Sequence, residues 1–239
     1  MRTYRLEIRL IQLTVLLSVF VVAAGFLGAW GNSKGSVASS ASSSNKTSET
    51  RSVQNTNTNT NANANAKIVA LGDSFTYGYP AGPDHSWVGV LGENLNTTVL
   101  NKGKVFQTSK DMLSRFDADV VSEKPGRVII FAGNGDALRN ISLKEFQSNV
   151  QAIVDKSRSN HITPLLALPM PYPGAQEAIT DMRNWIEEYA QTERFLVLDF
   201  ASAVMDSNGK YLKGYSDNNK YPSIKGYQAM GEYAARVLK

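Results

Sequence analysis

Residues 67–239 alternate between two kinds of segment, and this alternation constrains the fold more than any other feature of the chain. Short apolar runs rich in β-branched residues predict strands at 68–71, 97–100, 127–131, 162–168 and 195–198. Longer segments with helical spacing lie between them, at 87–95, 109–121, 142–154 and 175–192, and a last one follows Pro222. Ser142 and Glu145 have capping-box spacing at the start of one of these helices.

Strands that are apolar throughout are typical of parallel sheets, which are buried on both faces. Strands that alternate with helices favour right-handed crossover connections. The sequence therefore predicts an α/β domain, a three-layer αβα sandwich with five parallel strands. Ligand sites in such sheets lie beyond the carboxyl ends of the strands, so we expect functional residues in the loops after the first three strands.

The N-terminal 30 residues predict a membrane segment. Residues 10–30 contain no charged residue, and about 20 apolar residues suffice to span a bilayer. Arg2, Arg5 and Arg9 precede this run, which predicts a cytoplasmic N-terminus and an extracytoplasmic domain. The small residues at 22–24 also fit a cleavage site, so residues 1–30 are either a transmembrane anchor or a signal peptide.

Residues 31–66 consist almost entirely of Ser, Asn, Thr, Ala and Gly. Such a stretch lacks the apolar surface that offsets the entropy of ordering a chain. We interpret it as a disordered linker that joins the N-terminal segment to the domain at 67–239.

Charge and composition exclude several kinds of function. Residues 1–66 carry six basic and two acidic residues, whereas residues 67–239 carry 19 of each. The net charge of +4 therefore belongs to the N-terminal part. The domain is formally neutral and has no excess of basic residues with which to bind nucleic acid. The chain has no cysteine, which excludes disulfides, a thiol nucleophile and thiolate metal sites. No cluster has metal-ligand spacing and no glycine-rich loop fits a phosphate, so we expect neither a metal nor a cofactor.

The first predicted strand leads directly into Gly72-Asp73-Ser74-Phe75-Thr76-Tyr77-Gly78. A serine at a strand-to-helix turn has an exposed hydroxyl, and its N–H lies where negative charge is favoured. This position suits a nucleophile that attacks a carbonyl carbon. On turn chemistry alone, a serine that caps the helix is the better interpretation.

This heptad closely resembles block I of the SGNH (GDSL-type) ester hydrolases, and three further segments resemble later blocks of that family in order. They are Asn101-Lys102-Gly103 for block II, Ala132-Gly133-Asn134-Gly135-Asp136 for block III and Pro222-Ser223-Ile224-Lys225-Gly226-Tyr227 for block V. The resemblance implies a flavodoxin-like sheet and an acyl or acetyl ester substrate, borne by a lipid, a glycan or a wall polymer. It further implies that Ser74 is the nucleophile and that Ser74, Gly103 and Asn134 supply the oxyanion donors.

The resemblance fails at the catalytic base. Alignment on Pro222 places Tyr221 at the family's histidine and Asn218 at its aspartate. A one-residue slip would offer Asp217 and Lys220 instead, and His85 lies in the loop after block I. In block III, Asn134 stands one residue before the position at which the family has its asparagine.

Two functions from different classes follow from this pattern. One is an extracytoplasmic serine esterase, anchored to the membrane or secreted, that uses Ser74. The other is a catalytically impaired SGNH domain that binds a cell-wall component, a lipid or a protein partner, since a tyrosine with a pKa near 10 is a poor base at neutral pH.

Overall fold

The computed structural model describes residues 66–239 and contains a five-stranded parallel sheet. The strands are β1 (Ile68–Gly72), β2 (Val99–Gly103), β3 (Arg127–Phe131), β4 (Thr163–Ala167) and β5 (Val197–Leu198). Their order across the sheet is β2-β1-β3-β4-β5, which is the flavodoxin-like order. The predicted parallel α/β sandwich is confirmed.

Helices connect the strands and cover both faces of the sheet. They are α1 (Ser74–Tyr77), α2 (Trp87–Leu95), α3 (Ser109–Ser114), α4 (Phe116–Asp119), α5 (Asn134–Leu138), α6 (Leu143–Ser159), α7 (Gln176–Glu193), α8 (Ala201–Val204) and α9 (Ile224–Leu238). Serine side chains cap three of them by accepting backbone N–H groups, at Ser86, Ser142 and Ser223.

The two faces of the sheet bury separate apolar cores, because successive residues of a strand point to opposite sides. Ile129 and Phe131 of β3 pack with α2 and α9, whereas Val128 and Ile130 pack with α3, α6 and α7. All five residues of β3 are buried except Arg127 at its start, which is half-buried. A central strand apolar on both faces explains why the sequence shows a continuous run rather than an alternation.

Strand β2 is longer and more polar than the sequence predicts. The prediction ends it at residue 100, but Asn101, Lys102 and Gly103 continue the ladder and pair with Ala70, Leu71 and Gly72. An edge strand pairs with a neighbouring strand on one side only, and the side chains of β2 are only partly buried. Polar residues are therefore compatible with this strand. Block II is therefore the end of the strand rather than the loop after it.

The segment predicted as one helix over 109–121 is divided. Helices α3 and α4 meet at Arg115, which has φ −105°, and a 3₁₀ turn at Val121–Glu123 follows. Helix α5, directly after β3, and helix α8 are not apparent from the sequence pattern, because each is only four or five residues long.

The predicted anchor and linker at 1–30 and 31–66 lie outside the described residues, apart from Ala66. Within residues 66–239, no helix has the length and hydropathy needed to cross a membrane.

Candidate active site

Ser74 lies at the carboxyl end of β1 as the first residue of α1. The carboxylate of Asp73 caps this helix by accepting the N–H of Phe75 at 2.9 Å. Tight packing fixes the turn, because a methyl group at Gly72 would lie 2.0 Å from Oγ1 of Thr76. The Ser74 hydroxyl therefore occupies a defined position at the edge of the sheet at which ligand sites occur.

The backbone N–H that points at Ser74 belongs to Phe106, in the loop between β2 and α3. Its nitrogen donates to Oγ of Ser74 at 2.9 Å. Phe106 has φ 60°, a left-handed conformation that is uncommon for a residue other than glycine. Sequence reasoning missed this residue, since a half-exposed phenylalanine in a loop carries no chemical signal.

Gly103, the predicted oxyanion donor, has a different environment. Its N–H donates to the side-chain oxygen of Asn101 at 2.9 Å. A methyl group at Gly103 would lie 2.1 Å from the backbone nitrogen of Tyr77. The observed contribution of this glycine is that β2 approaches α1 closely, and the structure brings Phe106 rather than Gly103 to the Ser74 hydroxyl.

Arg115 holds the Phe106 loop against the ends of the strands. Its buried guanidinium donates to the backbone oxygens of Gly72 and Lys102 at 2.9 and 2.8 Å. It also donates to the side-chain oxygen of Gln107, the residue after Phe106, and pairs with Asp119. One side chain thus connects β1, β2 and the loop that carries the N–H facing Ser74.

Asn134 begins α5, and its amide is bound on both sides by one residue. Its oxygen accepts the N–H of Met170 at 2.8 Å, and its nitrogen donates to the oxygen of Met170 at 2.7 Å. An amide nitrogen carries two N–H groups, so this pair uses only one of them. Asn134 is buried in the wall of the cavity that contains Ser74.

Tyr221, at the family's histidine position, lines the same cavity as Ser74. The centroid of its ring lies 4.8 Å from that of Tyr79, 5.1 Å from that of Phe75 and 5.5 Å from that of Tyr172. Burial is the largest cause that raises the pKa of Tyr221 far above its usual value, and the neighbouring Tyr172 raises it further. The Ser74 hydroxyl lowers it. The tyrosine therefore stays neutral and cannot act as a strong base near pH 7.

Asn218, at the family's aspartate position, supports the backbone before Tyr221 rather than its side chain. Its side-chain oxygen accepts the N–H groups of Lys220 and Tyr221 at 2.9 and 3.0 Å. This is the usual behaviour of asparagine in a turn. It fixes where Tyr221 enters the site.

The three other candidates for a base do not line the Ser74 cavity. His85 lies in a 3₁₀ turn and faces a separate cleft with Glu93 and Gln228. Lys220 and Asp217 are exposed on the loop before α9. Within residues 66–239, the structure brings neither the two histidines nor these two residues to Ser74.

Two buried carboxyl groups lie beneath the site. Burial raises the pKa of Asp73 to about 7, and the N–H of Phe75 and the more distant N–H of Gly135 lower it. Burial also raises the pKa of Asp136, whose carboxylate accepts the N–H and the hydroxyl of Ser109. Asp136 thereby ties the start of α3 to α5 and holds the far end of the Phe106 loop.

These residues surround a cavity of about 260 Å³. Its lining comprises Asp73, Ser74, Phe75, Phe106, Asn134, Gly135, Leu138, Arg139 and Tyr221. Of the aromatic residues near block I, Trp87 is fully buried in the core, whereas Tyr79 packs against Tyr221. Within the described residues, no group of three His, Asp or Glu side chains is arranged to hold a metal ion.

Comparison with known proteins gives a consistent result. A family model for the GDSL-like lipase/acylhydrolase family matches residues 70–229. A solved structure of a G-D-S-L family protein from Desulfitobacterium hafniense DCB-2 is 53% identical, with a TM-score of 0.72, and covers 72% of this chain and 99% of that one.

Two curated relatives match over shorter stretches. The lipoprotein YqeF of Bacillus subtilis is 33% identical over 119 residues, which are 44% of this chain and 48% of the relative. The esterase TesA of Pseudomonas aeruginosa is 28% identical over 104 residues, which are 41% of this chain and 52% of the relative. The chain thus spans about half the length of these two relatives. Because the family model covers most of the folded domain, including Ser74 and Tyr221, the chain belongs to the GDSL-like lipase/acylhydrolase family.

Proposed function

We propose that the chain hydrolyses carboxylic esters and that Ser74 is its nucleophile. The observation that carries this proposal is the position of the Ser74 hydroxyl, which lines a cavity of about 260 Å³ and accepts the Phe106 N–H at 2.9 Å. Membership of an acylhydrolase family supports the reaction class.

In the proposed reaction, Oγ of Ser74 forms a bond to the acyl carbon of the ester, and the carbonyl oxygen becomes an oxyanion. The Phe106 N–H and the second N–H of the Asn134 amide are the donors that we assign to it. Collapse breaks the bond to the alcohol, which leaves with the proton that Ser74 gives up, and water then hydrolyses the acyl-enzyme, which releases the carboxylic acid and restores the serine hydroxyl.

The weak point of this reaction is removal of the Ser74 proton. Tyr221 lines the same cavity as Ser74, but its raised pKa keeps its hydroxyl protonated near neutral pH, so it is not available to accept this proton. Asp73 also lines the cavity, but its two oxygens face the N–H groups of Phe75 and Gly135. We therefore expect slow turnover. A serine hydrolase that has lost its triad still accelerates the reaction roughly 10³–10⁴-fold over the uncatalysed reaction in water, and we expect an acceleration on that scale.

The same observation supports a second candidate, a domain that retains the hydrolase scaffold and binds its ligand without efficient turnover. A neutral tyrosine at the position of the base is what such a domain would have. In that case Ser74, Phe106 and Asn134 would hold an ester or another carbonyl group rather than cleave it.

Hydrolysis of p-nitrophenyl acetate by the full chain, beside Ser74→Ala and Tyr221→His, separates the two candidates. We expect slow hydrolysis by the parent, loss of that activity in Ser74→Ala, and a rise of at least about tenfold in Tyr221→His, because a general base contributes about 10²–10⁴. Asn218→Asp combined with Tyr221→His should raise the rate further.

Hydrolysis by Ser74→Ala at the parent's rate would refute Ser74 as the nucleophile. If the parent is inert and Tyr221→His gains activity, the domain is a scaffold that has lost its base. If neither has activity above the uncatalysed reaction, the binding function is the better description.

We further propose that the domain acts outside the membrane on an acyl or acetyl ester of a lipid, a glycan or a wall polymer. The uncharged run at 10–30 behind three arginines supports an exported domain. Similarity to a protein that is named a lipoprotein is in line with this location. Since this chain has no cysteine, an anchor would have to be the apolar segment itself, and cleavage of that segment would release the domain as a secreted protein.

A further inference from the structure

Helix α5 presents one face to the Ser74 cavity. Asn134, Gly135, Leu138 and Arg139 line the cavity, and residues four apart lie on the same face of a helix. Asn134 stands at the end near Met170, and Arg139 caps the other end. The cavity therefore has a cationic side chain in its wall, in addition to the groups assigned to the reaction.

The Arg139 guanidinium is available to a ligand. Its side chain is 55% exposed, and within residues 66–239 its only ion-pair partner is Asp111, at the outer limit of 4.0 Å. Asp111 is already engaged, because its Oδ2 accepts the N–H and the hydroxyl of Thr108, both at 2.9 Å. An ion pair that long and that exposed contributes little, so it is readily exchanged for a better anion.

The other residues that line the cavity indicate what kind of spacer would join an anion at Arg139 to the reacting ester group. At a rise of 1.5 Å per residue, the ends of α5 lie about 7 Å apart, which is the length of a short methylene spacer. Leu138 and Phe106 expose apolar surface at 42% and 50% along this path. The one carboxyl group among the residues that line this cavity, that of Asp73, is buried, and burial favours its neutral form.

From this arrangement we infer that the ester cleaved at Ser74 carries an anionic group, a carboxylate or a phosphate, a few bonds from its carbonyl, and that Arg139 binds this group. The inference rests on the proposed function and narrows its substrate class to anionic esters. A guanidinium binds either anion in bidentate fashion, which gives orientation as well as attraction.

The first test compares two p-nitrophenyl esters that differ in charge: the monoester of glutarate and the same compound with its free carboxylate methylated. The readout is the ratio of kcat/KM for the anionic and neutral esters, after subtraction of the uncatalysed rates. We expect a preference for the anion that falls about fivefold in Arg139→Gln, reverses in Arg139→Glu and weakens with added salt. Arg236→Gln, an exposed arginine on α9, is the matched control and should retain the parent ratio.

A second arm moves the charge to the alcohol side, with 4-acetoxybenzoate against its methyl ester. An Arg139-dependent preference in only one arm identifies which side of the ester carries the anion. If Arg139→Gln leaves both ratios at the values of Arg236→Gln, the inference is wrong.

A binding measurement keeps this test separate from the proposed function. Ser74→Ala is titrated with monomethyl glutarate, which is anionic, and with dimethyl glutarate, which is neutral, with and without Arg139→Gln. A preference for the anion that disappears with Arg139 supports the inference even if no ester is hydrolysed. The inference is overturned if Ser74→Ala binds the two ligands with equal affinity and the parent hydrolyses the anionic and neutral p-nitrophenyl esters equally fast.

Discussion

At the scale of single residues, Asp73 shows how burial alters a side chain beside the proposed nucleophile. It is fully buried, caps α1 and has a pKa raised from 3.8 to about 7. The unfolded chain therefore loses this proton at a lower pH than the folded chain does. The stabilisation that the protonated carboxyl contributes is present at low pH and disappears as the pH rises from about 4 to about 7.

Replacing Asp73 by Asn removes this titration and retains a good helix cap. We expect the unfolding free energy of the parent, relative to Asp73→Asn, to fall by about 1.4 kcal/mol per pH unit inside that window and to level off above it. Urea unfolding at several pH values from 4.5 to about 8.5 measures this difference. Asp136, whose pKa burial also raises, is present in both chains, and its proximity contributes to the raised pKa of Asp73. Parallel pH profiles for the two chains would contradict the assignment.

At the scale of elements, the position of Ser74 depends on how closely α1 approaches β2. Gly103 permits this approach, because any side chain there would collide with the backbone of α1. Arg115 then binds the ends of β1 and β2 together through their backbone oxygens. The position of Ser74 therefore depends on the contacts among α1, β1 and β2.

Two glycine substitutions test this packing. Gly103→Ala should lower the unfolding free energy by about 1–3 kcal/mol or more, as overpacking does, and should lower ester hydrolysis because α1 must shift. Gly89→Ala, on the exposed face of α2, meets nothing within 4 Å and should stabilise the fold by about 1 kcal/mol. Thermal or urea melts of both variants give the comparison. A Gly103→Ala chain as stable as Gly89→Ala would show that the approach is not tight.

At the scale of the whole molecule, the sequence divides the chain into an N-terminal segment, a linker and the domain. We expect the chain with residues 1–66 to sediment with membranes and the chain without them to remain in the supernatant. Both should melt at the same temperature and hydrolyse p-nitrophenyl acetate at the same rate, because the cores and the site lie within 67–239. A truncated chain that fails to fold or loses its activity would show that the domain boundary is misplaced.

The sequence by itself determined the class of fold, because periodicity and apolar runs are local properties. The strands at 127–131 and 162–168 and the helices around α6 and α7 follow from such runs, and their parallel pairing follows from burial on both faces. Ser74 was also identifiable as a candidate nucleophile, since a strand-to-helix turn with a distinctive heptad is a continuous segment.

Only the tertiary structure decided which groups surround Ser74, because those groups come from segments far apart in the chain. Phe106 donates its backbone N–H, which no side-chain pattern encodes, and its left-handed conformation depends on the contacts of the whole loop. Arg115 divides a helix that the sequence predicts as continuous, and its guanidinium reaches three separate elements. The raised pKa values of Asp73 and Tyr221 arise from burial, and burial exists only once the chain has folded.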